Sequence, residues 1–592
     1  MVAAALALQL VSCVACLSVC GYRSSRKGVS AAFTAKSVIC GPFTPCDASK
    51  RLDHARSSST QLYASASVSP APSASAEHAV PPPDGSADDD GDYDAEALAD
   101  AFTHGASAPM LRQISSRLTK MHVVKHDLRV DPYPEVSEES ASTVVDVGRI
   151  ATAHGNLREG EELESTKYRV RGRIKSIRFD GLFVVIEDVN GDGLQVMFRR
   201  NQDIAVGGAP FNATRVGDIL DIGDIILIEG HPKRTTTGEM TLVAHSMEVL
   251  AKCLLPMPDG FHGLRDVDTR QRLRHLDIMT CQDSKHILLQ RSQMVWLLRQ
   301  FLHDRGYIEV ETPILYHGYS GAQATPFVTR SEALDQKLYL RIAPELFLKR
   351  LVTGGLADRV FEIGKCFRNE GTSTHHSPEF TMLELYQQMG DVGDMIRLTE
   401  EIVATIATGL RVAVPKFTTK SMSELIEEHV GIKVEECSKE QLRNALVERG
   451  VNGSELHDTT WGGLVCDLFK HAVEDKIRDP THVIALPADS SPLAAVDSDG
   501  VHGRVFESYL GGLEFAHGCT EECDPVKLLR KLDRCREEGL SNSRDTEFLN
   551  AMAYGMPPTA GLGIGIDRLL MALTGAGSIK QTQTFPLLKN VE

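Results

Sequence analysis

The stretch that most constrains the fold is Phe361 to Gln388, which reads FEIGKCFRNEGTSTHHSPEFTMLELYQQ. Two runs of alternating apolar residues flank a polar turn, a pattern that predicts two strands joined as a hairpin. The same stretch holds Arg368, His375 and His376 among the acids Glu370, Glu379 and Glu384. Charges mixed at this density describe either a solvated hairpin or the lining of a pocket whose ligand has a negative and a positive end. Alternation puts Arg368 and Glu370 on one face, and likewise Glu384 and Tyr386. An arginine held there can clamp a phosphate or carboxylate through two parallel hydrogen bonds. The plain alternative is a cross-strand ion pair.

Two further segments downstream pair acids or glycines with a cation. In FESYLGGLEFAHGCTEE, a Gly-Gly turn predicts a hairpin that brings Glu507 and Glu514 across from one another, with Glu521 as a third acid. Paired carboxylates suit Mg²⁺ held against phosphate oxygens. Solvated hairpin charges are the alternative. In GLGIGIDRLLMALTG, the glycines let backbone approach a ligand closely and Arg568 opens a helix. Upstream, DSKHILLQRSQMVWLLRQFLHDRG repeats apolar residues at helical spacing, with Asp283 or Ser284 as cap and Gly306 as stop. YIEVETPILY then reads as a strand bent at Pro313. Strands and helices alternate here without regular βαβ spacing, so an α+β domain with an antiparallel sheet is expected over 256–592.

Ahead of it, 141–255 has a different texture. Short alternating runs punctuated by DG, NGDG and TTTGE predict about five strands, a small all-β barrel of the oligonucleotide-binding kind. A basic cluster that includes Arg173 and Arg178 lies beside Phe183 and Gln195. Arginines track phosphates, an aromatic ring stacks a base, and an amide reads a base edge.

At 592 residues the chain is too long for one core. Its net charge of −17 argues against non-specific coating of nucleic acid but leaves room for a local basic face. Of 13 cysteines, five precede residue 50. Cys13 and Cys16 lack a second pair, and Cys519 and Cys523 lack the partners a zinc site needs. The first 66 residues read as a leader, an uncharged apolar run followed by a basic, Ser/Ala-rich segment. It resembles the bipartite signal of a plastid bounded by extra membranes. A simple secretory signal, a membrane anchor, or a mitochondrial or cytoplasmic location is the alternative. Residues 67–140, rich in Pro, Ala, Ser and acids, read as a low-complexity linker.

Taken together and in order, GYIEVETPIL, FRNEGTSTHHSPEFTMLELY and GLGIGIDRLLMALTGAGSIKQTQTFPLLKN resemble the three signature motifs of class II aminoacyl-tRNA synthetases. The stretches MPDGFHGLRDVDTRQRLRHLDIM, SGAQATPF and LRIAPELFLKRLVTGG, with the preceding barrel, are similar to the lysine-specific branch. The resemblance runs from about residue 145 to the C-terminus. It implies that lysine and ATP, with Mg²⁺, give lysyl-adenylate, and that the lysyl group then moves to the 3′ end of tRNA(Lys). By similarity, Arg368 binds the α-phosphate and the lysine carboxylate, and Phe380 stacks on the adenine. Asn369, Glu370, His376, Ser377, Glu514, Gly565 and Arg568 complete the ATP site. Glu507 and Glu514 hold the metal. Gly321 and Glu345 receive the α-ammonium, Glu384, Tyr386 and Glu521 the ε-ammonium, and His517 stands near the carboxylate. Arg173, Arg178, Phe183 and Gln195 read the anticodon. The resemblance also implies a homodimer with no stable membrane association of the mature chain. Three residues depart from the branch: His517 where asparagine is usual, Cys519 where an aromatic is usual, and Ser377 where an amide is usual. They leave two alternatives: a non-catalytic tRNA-binding paralogue, or a ligase that places lysine on a protein.

Overall fold

The computed structural model describes residues 95–102, 107–135, 137–200, 202–258, 264–318, 324–452, 460–537 and 545–590. The leader over 1–66 and Gly321 therefore lie outside the described residues. No helix among the described residues is long and apolar enough to cross a membrane.

Described structure begins earlier than the composition predicts. The span expected as a linker to residue 140 holds helices Ala95–Phe102 and Ala108–His122 (α1 and α2). Pro109 sits in the first turn of α2, where its missing N–H costs nothing. Ile114 is fully buried, and the Arg117 guanidinium donates to the carbonyls of Ile222, at 3.0 Å, and Cys253. Lys120 reaches the Leu220 carbonyl at 2.8 Å and Asp221 at 3.1 Å. The acidic, Pro-rich neighbourhood masks this short amphipathic segment, which is ordered by its contacts with the barrel rather than by its own composition.

The barrel has seven strands rather than about five, and the first begins at Tyr168. They are β1 (Tyr168–Arg178), β2 (Phe183–Glu187), β3 (Gly193–Met197), β4 (Asp203–Val206), β5 (Ala209–Asn212), β6 (Ile225–Arg234) and β7 (Met240–Ala251). The two extra strands, β4 and β5, are four residues each, too short for alternation to reveal. The order is β3-β2-β1-β6-β7-β4-β5, and a parallel β3–β7 pairing closes the barrel. Val170, Ile174, Val184, Ile186 and Val196 point inward and are buried. The alternate residues of β1–β3 therefore form the outer face.

The larger half is built on an eight-stranded sheet. Its strands are β8 (Ile308–Glu309), β12 (Arg359–Phe367), β13 (Glu379–Gln388), β14 (Thr418–Ser421), β15 (Thr481–Ile484), β16 (Val505–Leu510), β17 (Leu513–Thr520) and β18 (Thr559–Gly565). The intervening β9 (Leu315–Tyr316), β10 (Val328–Ser331) and β11 (Gln336–Leu340) form a separate small sheet. The large sheet runs β14-β15-β16-β17-β18-β13-β12-β8, antiparallel except for the outer pairs β14–β15 and β12–β8. The expected α+β class with an antiparallel sheet is what the chain adopts. One face is covered by helices Gln282–Asp304 (α3), Val392–Leu410 (α4) and Ile566–Thr574 (α5), packed on Leu383, Leu385, Leu562 and Ile564. Helix α3 begins at Gln282 and neither Asp283 nor Ser284 caps it, whereas Gly306 does end it, at φ 77°. Of the strand expected before Pro313, Ile308 and Glu309 pair with β12, and the Val310 N–H adds a bond to the Phe361 carbonyl at 2.9 Å. Period-two alternation leaves Glu384, Tyr386, Gly561 and Gly563 on the opposite face.

Candidate active site

That opposite face floors a cavity of about 890 Å³. Its floor is set by register across the three central strands. Glu384 of β13 pairs with Gly563 of β18, which pairs with His517 of β17; Tyr386, Gly561 and Cys519 form the next row. Of the two glycines, Gly561 is required by space. A Cβ on Gly561 would lie 2.4 Å from the Tyr386 ring and 2.6 Å from Glu521 Oε1.

At one end the lining is cationic. The backbone N–H of Arg368 donates to Pro378 at 2.9 Å, and its guanidinium lies 5.1 Å from the Phe380 ring centroid. Its Nε is buried without a hydrogen-bond partner among the described residues. A buried donor left unpaired is costly, so this atom faces where an acceptor belongs. Arg568, near the start of α5, donates to the Glu514 carbonyl at 2.9 Å and to Glu514 Oε2 at 3.1 Å. Its other terminal nitrogen donates to His376 Nε2 at 2.9 Å. A guanidinium only donates, so Nε2 is the acceptor and Nδ1–H donates to Ser373 Oγ at 2.8 Å. Burial, then the Arg568 charge, lowers the His376 pKa, in keeping with a neutral ring. Asp567 anchors the helix start by accepting from Arg291 at 2.6 Å and from the Thr381 N–H at 2.8 Å.

At the other end the lining is acidic. Glu345 opens helix Glu345–Thr353, and Glu384 and Glu521 are 5% and 4% exposed. Burial, then the Glu345 charge, pushes the Glu384 pKa up to about 8, although Tyr386, Lys349 and Arg368 pull it down. The Tyr386 hydroxyl donates to Glu384 Oε2 at 3.2 Å. Glu521 is likewise raised, by burial and Glu345 against the opposing pull of Lys349. Lys349, at 1% exposure, lies 2.6 Å from both Glu345 Oε1 and Glu521 Oε2. Sequence reasoning missed it. The one available signal is its place four residues after Glu345 on a helix, a spacing shared by many ordinary surface pairs.

A third group of acids sits by the β16–β17 hairpin. Gly511 and Gly512, at φ 65° and 85°, make the expected turn. Glu507 and Glu514 do not face each other, however: Glu507 pairs with His517, Glu514 with Tyr509, and the register slips between Ser508 and Tyr509. The Tyr509 hydroxyl donates to Glu507 at 2.7 Å, and His517 Nδ1 lies 3.8 Å from Glu507 Oε1. The Glu507 pKa is lowered against desolvation, by His517 first, and that of His517 is raised against desolvation, by Glu507 first. Glu474, which sequence reasoning also missed, is pushed up to about 7 by burial, then by Glu514 and Glu507. Carboxylate oxygens are the ligands a hard divalent cation takes, but the oxygens of these three acids are not all gathered within 4.8 Å of one another.

Most of the predicted residues therefore share one cavity: Arg368, Glu370, His376, Ser377, Phe380, Glu514, Gly565 and Arg568, and with them Glu345, Glu384, Tyr386, His517 and Glu521. Arg368 and Glu370 both depart from the strand face expected of them. They lie beyond the end of β12, and Glu370 accepts from the Thr325 N–H at 3.3 Å. Asn369 is absent from the lining and its backbone N–H bonds Thr325 at 2.8 Å; Glu507 is also outside the lining. Cys519 does stand in the wall, a buried thiol whose pKa burial raises well above the usual value.

On the barrel, strand register places Arg173, Arg178, Phe183 and Gln195 on the same outer face of β1–β3. Arg173 is tied to the Gly223 carbonyl at 2.7 Å, and Gln195 donates to Thr241 at 2.8 Å. Phe183 meets Phe179 edge-on, with centroids 5.9 Å apart. Phe179 is 71% exposed at φ 53° and is a further aromatic that the pattern did not single out.

A nucleotide-sized cavity over an antiparallel sheet, arginine at one end and acids at the other, defines a class that sequence comparison identifies. Residues 266–589 match the tRNA synthetases class II (D, K and N), and residues 168–250 match the OB-fold nucleic acid binding domain. The lysine–tRNA ligase of Methanoculleus marisnigri is 41% identical over 71% of this chain and 85% of its own length. That of Bacillus cereus strain AH820 is 37% identical over 81% of this chain and 97% of its own, and that of Rhizobium meliloti 37% over 80% and 97%. The chain belongs to the class II tRNA synthetases, and within them to the lysine–tRNA ligase family.

Proposed function

We propose that this chain activates L-lysine with ATP and transfers the lysyl group to tRNA(Lys). The observation that carries the reading is the polarity of one cavity, with Arg368 at one end and Glu345, Glu384 and Glu521 at the other. Lysine has a carboxylate for the first and two ammonium groups for the second. An acidic or amide side chain would find carboxylates where it needs donors.

Neither step requires a protein nucleophile. The lysine carboxylate attacks the α-phosphorus of ATP, pyrophosphate leaves, and the tRNA hydroxyl later attacks the mixed anhydride. The protein orients the reactants and stabilises charge on the α-phosphate. Arg368 spans carboxylate and phosphate with donors already held in place, one of them the unpartnered Nε. Phe380 stacks the adenine, and Glu370, in the adjoining turn, accepts from its amino group. Arg568 exchanges its contacts to Glu514 and His376 for the terminal phosphate. Glu514 and Glu507, with Glu474 near them, would hold Mg²⁺, which screens the triphosphate oxygens. Asn369 acts through its backbone tie to Thr325.

The outer barrel face takes the anticodon by stacking on Phe183 and by polar contacts from Arg178 and Gln195. Arg173, engaged with the Gly223 carbonyl, positions that face. A homodimer is supported by Leu289 and Trp296, 57% and 58% exposed seven residues apart on α3. Sedimentation tests it. Delivery to an organelle, a plastid first, rests on the composition of 1–66. Fusing that segment to a fluorescent protein tests it.

The deciding experiment is ATP–pyrophosphate exchange with the full chain and each amino acid in turn. Exchange driven by lysine alone, followed by charging of tRNA(Lys), is the expected result. A folded, ATP-binding protein with no exchange for any amino acid would instead indicate a tRNA-binding paralogue disabled at His517 and Cys519. Activation of lysine with transfer to a protein and none to tRNA would indicate the protein-directed ligase.

A further inference from the structure

We infer that Lys349 is a positioning residue of the lysine pocket: it neutralises one of the pocket's three carboxylates, so that the pocket's charge matches a ligand bearing two ammonium groups. The inference rests on the lysine-activating reading above. Lys349 lies one helical turn after Glu345, with Nζ 2.6 Å from Glu345 Oε1 and 2.6 Å from Glu521 Oε2. The rings of Tyr386 and Phe548 lie 5.5 and 6.0 Å from Nζ. Other titratable groups that act on or feel this ammonium are Glu384 on β13, Cys519 on β17 and Cys523 just beyond. Burial lowers the Lys349 pKa, but Glu345 and Glu521 outweigh it, raise the pKa and keep the ammonium charged.

The charge count then closes. Glu345, Glu384 and Glu521 carry three negative charges when ionised, and Lys349 returns one positive. Two negatives remain for the two ammonium groups of the substrate, whose carboxylate is matched by Arg368. Without Lys349, three acids would face two cations. One acid would then be buried uncompensated or would hold a proton and lose its pull on the ligand. Lys349 also fixes the carboxylates of Glu345 and Glu521, which otherwise repel each other across the pocket.

The test compares lysine KM in ATP–pyrophosphate exchange for the full-length wild type, K349M, E521Q and the double variant K349M/E521Q. By the charge count, K349M leaves three negatives, E521Q leaves one, and the double variant restores two. Each single variant should raise lysine KM about a hundredfold, the scale of breaking a buried ion pair, with a smaller effect on ATP KM. The double variant should recover to within about tenfold of wild type, because removing both members of a pair leaves no orphaned charge. A residue that merely supports the fold predicts the reverse, a double variant no better than the worse single. Should K349M not fold, E521Q against the double variant decides alone: a lower lysine KM in the double supports the inference, and an equal or higher one overturns it. Wild type without lysine-dependent exchange overturns the activation reading and this inference with it. Normal wild-type exchange with no recovery in the double overturns the inference alone.

Discussion

The outer face of the barrel and the cavity of the large sheet both present charge to a ligand, but they hold it in opposite ways. On the barrel, Arg178 is exposed and only loosely engaged, 3.4 Å from Gln195. In the cavity lining, Glu384 and Glu521 are 5% exposed or less, as is Lys349, which pairs with Glu521. Exposed charge costs little to maintain and is screened by salt, so the barrel suits a large polyanion met by many weak contacts. Buried charge must be matched one for one, so the cavity suits a small ligand of fixed charge pattern. Recognition of tRNA should therefore degrade gradually on mutation, and recognition of lysine abruptly.

The sharpest way to break that contrast is Arg368→Ala. It removes the cation proposed to meet both lysine carboxylate and α-phosphate, and should lower lysine-dependent exchange at least a thousandfold, as expected for loss of a charge-stabilising donor in a water-poor site. Binding of tRNA, followed by filter retention, should be unchanged. Exchange that falls less than tenfold would remove Arg368 from the chemistry.

A milder change is expected on the barrel. Phe183→Ala should raise the KM for tRNA by roughly five- to a hundredfold, the range of one lost base–aromatic stack of about 1–3 kcal/mol. Exchange without tRNA should keep its rate. A matching loss of exchange would mean that the barrel and cavity do not divide the labour as proposed.

The two regions also differ in how far sequence patterns reveal them. Alternation alone exposes the outer face of β1–β3, because each strand supplies its residues locally and Val184 and Ile186 mark the inner side. The hairpin around Arg368, with Glu384 and Tyr386 on one face, is legible for the same reason. What stays hidden depends on register or on distant partners. A slip between Ser508 and Tyr509 moves Glu507 opposite His517, and no spacing rule foretells a bulge. Lys349 looks like half of a surface pair until β17 carries Glu521 to within 2.6 Å. Glu474 gains its neighbours only when the 3₁₀ turn at Glu474–Lys476 comes up beside the β16–β17 hairpin. Helix α2 is hidden by the composition of its flanks.

The smallest and most telling difference is in pH. A guanidinium keeps its charge at every accessible pH, so tRNA affinity should show no limb from the arginines of the barrel face. Glu384 does titrate there, because burial and the neighbouring Glu345 raise its pKa from the ordinary value of 4.5 to about 8. Between those values the empty folded protein holds a proton that the unfolded chain has released. The native state thus binds more protons, and stability contributed by this group falls as pH rises from about 4.5 towards 8. Lysine reverses the preference: its ammonium favours the carboxylate, so binding below pH 8 expels the proton. Lysine KM in pyrophosphate exchange should fall about tenfold per pH unit from pH 6 towards 8 and level off above. Glu384→Gln should flatten that limb while raising KM throughout. The thermal midpoint of the wild type should drop over the same interval without lysine and drop less with it. A lysine KM that is level from pH 6 to 8 would mean that Glu384 is already ionised in the empty cavity.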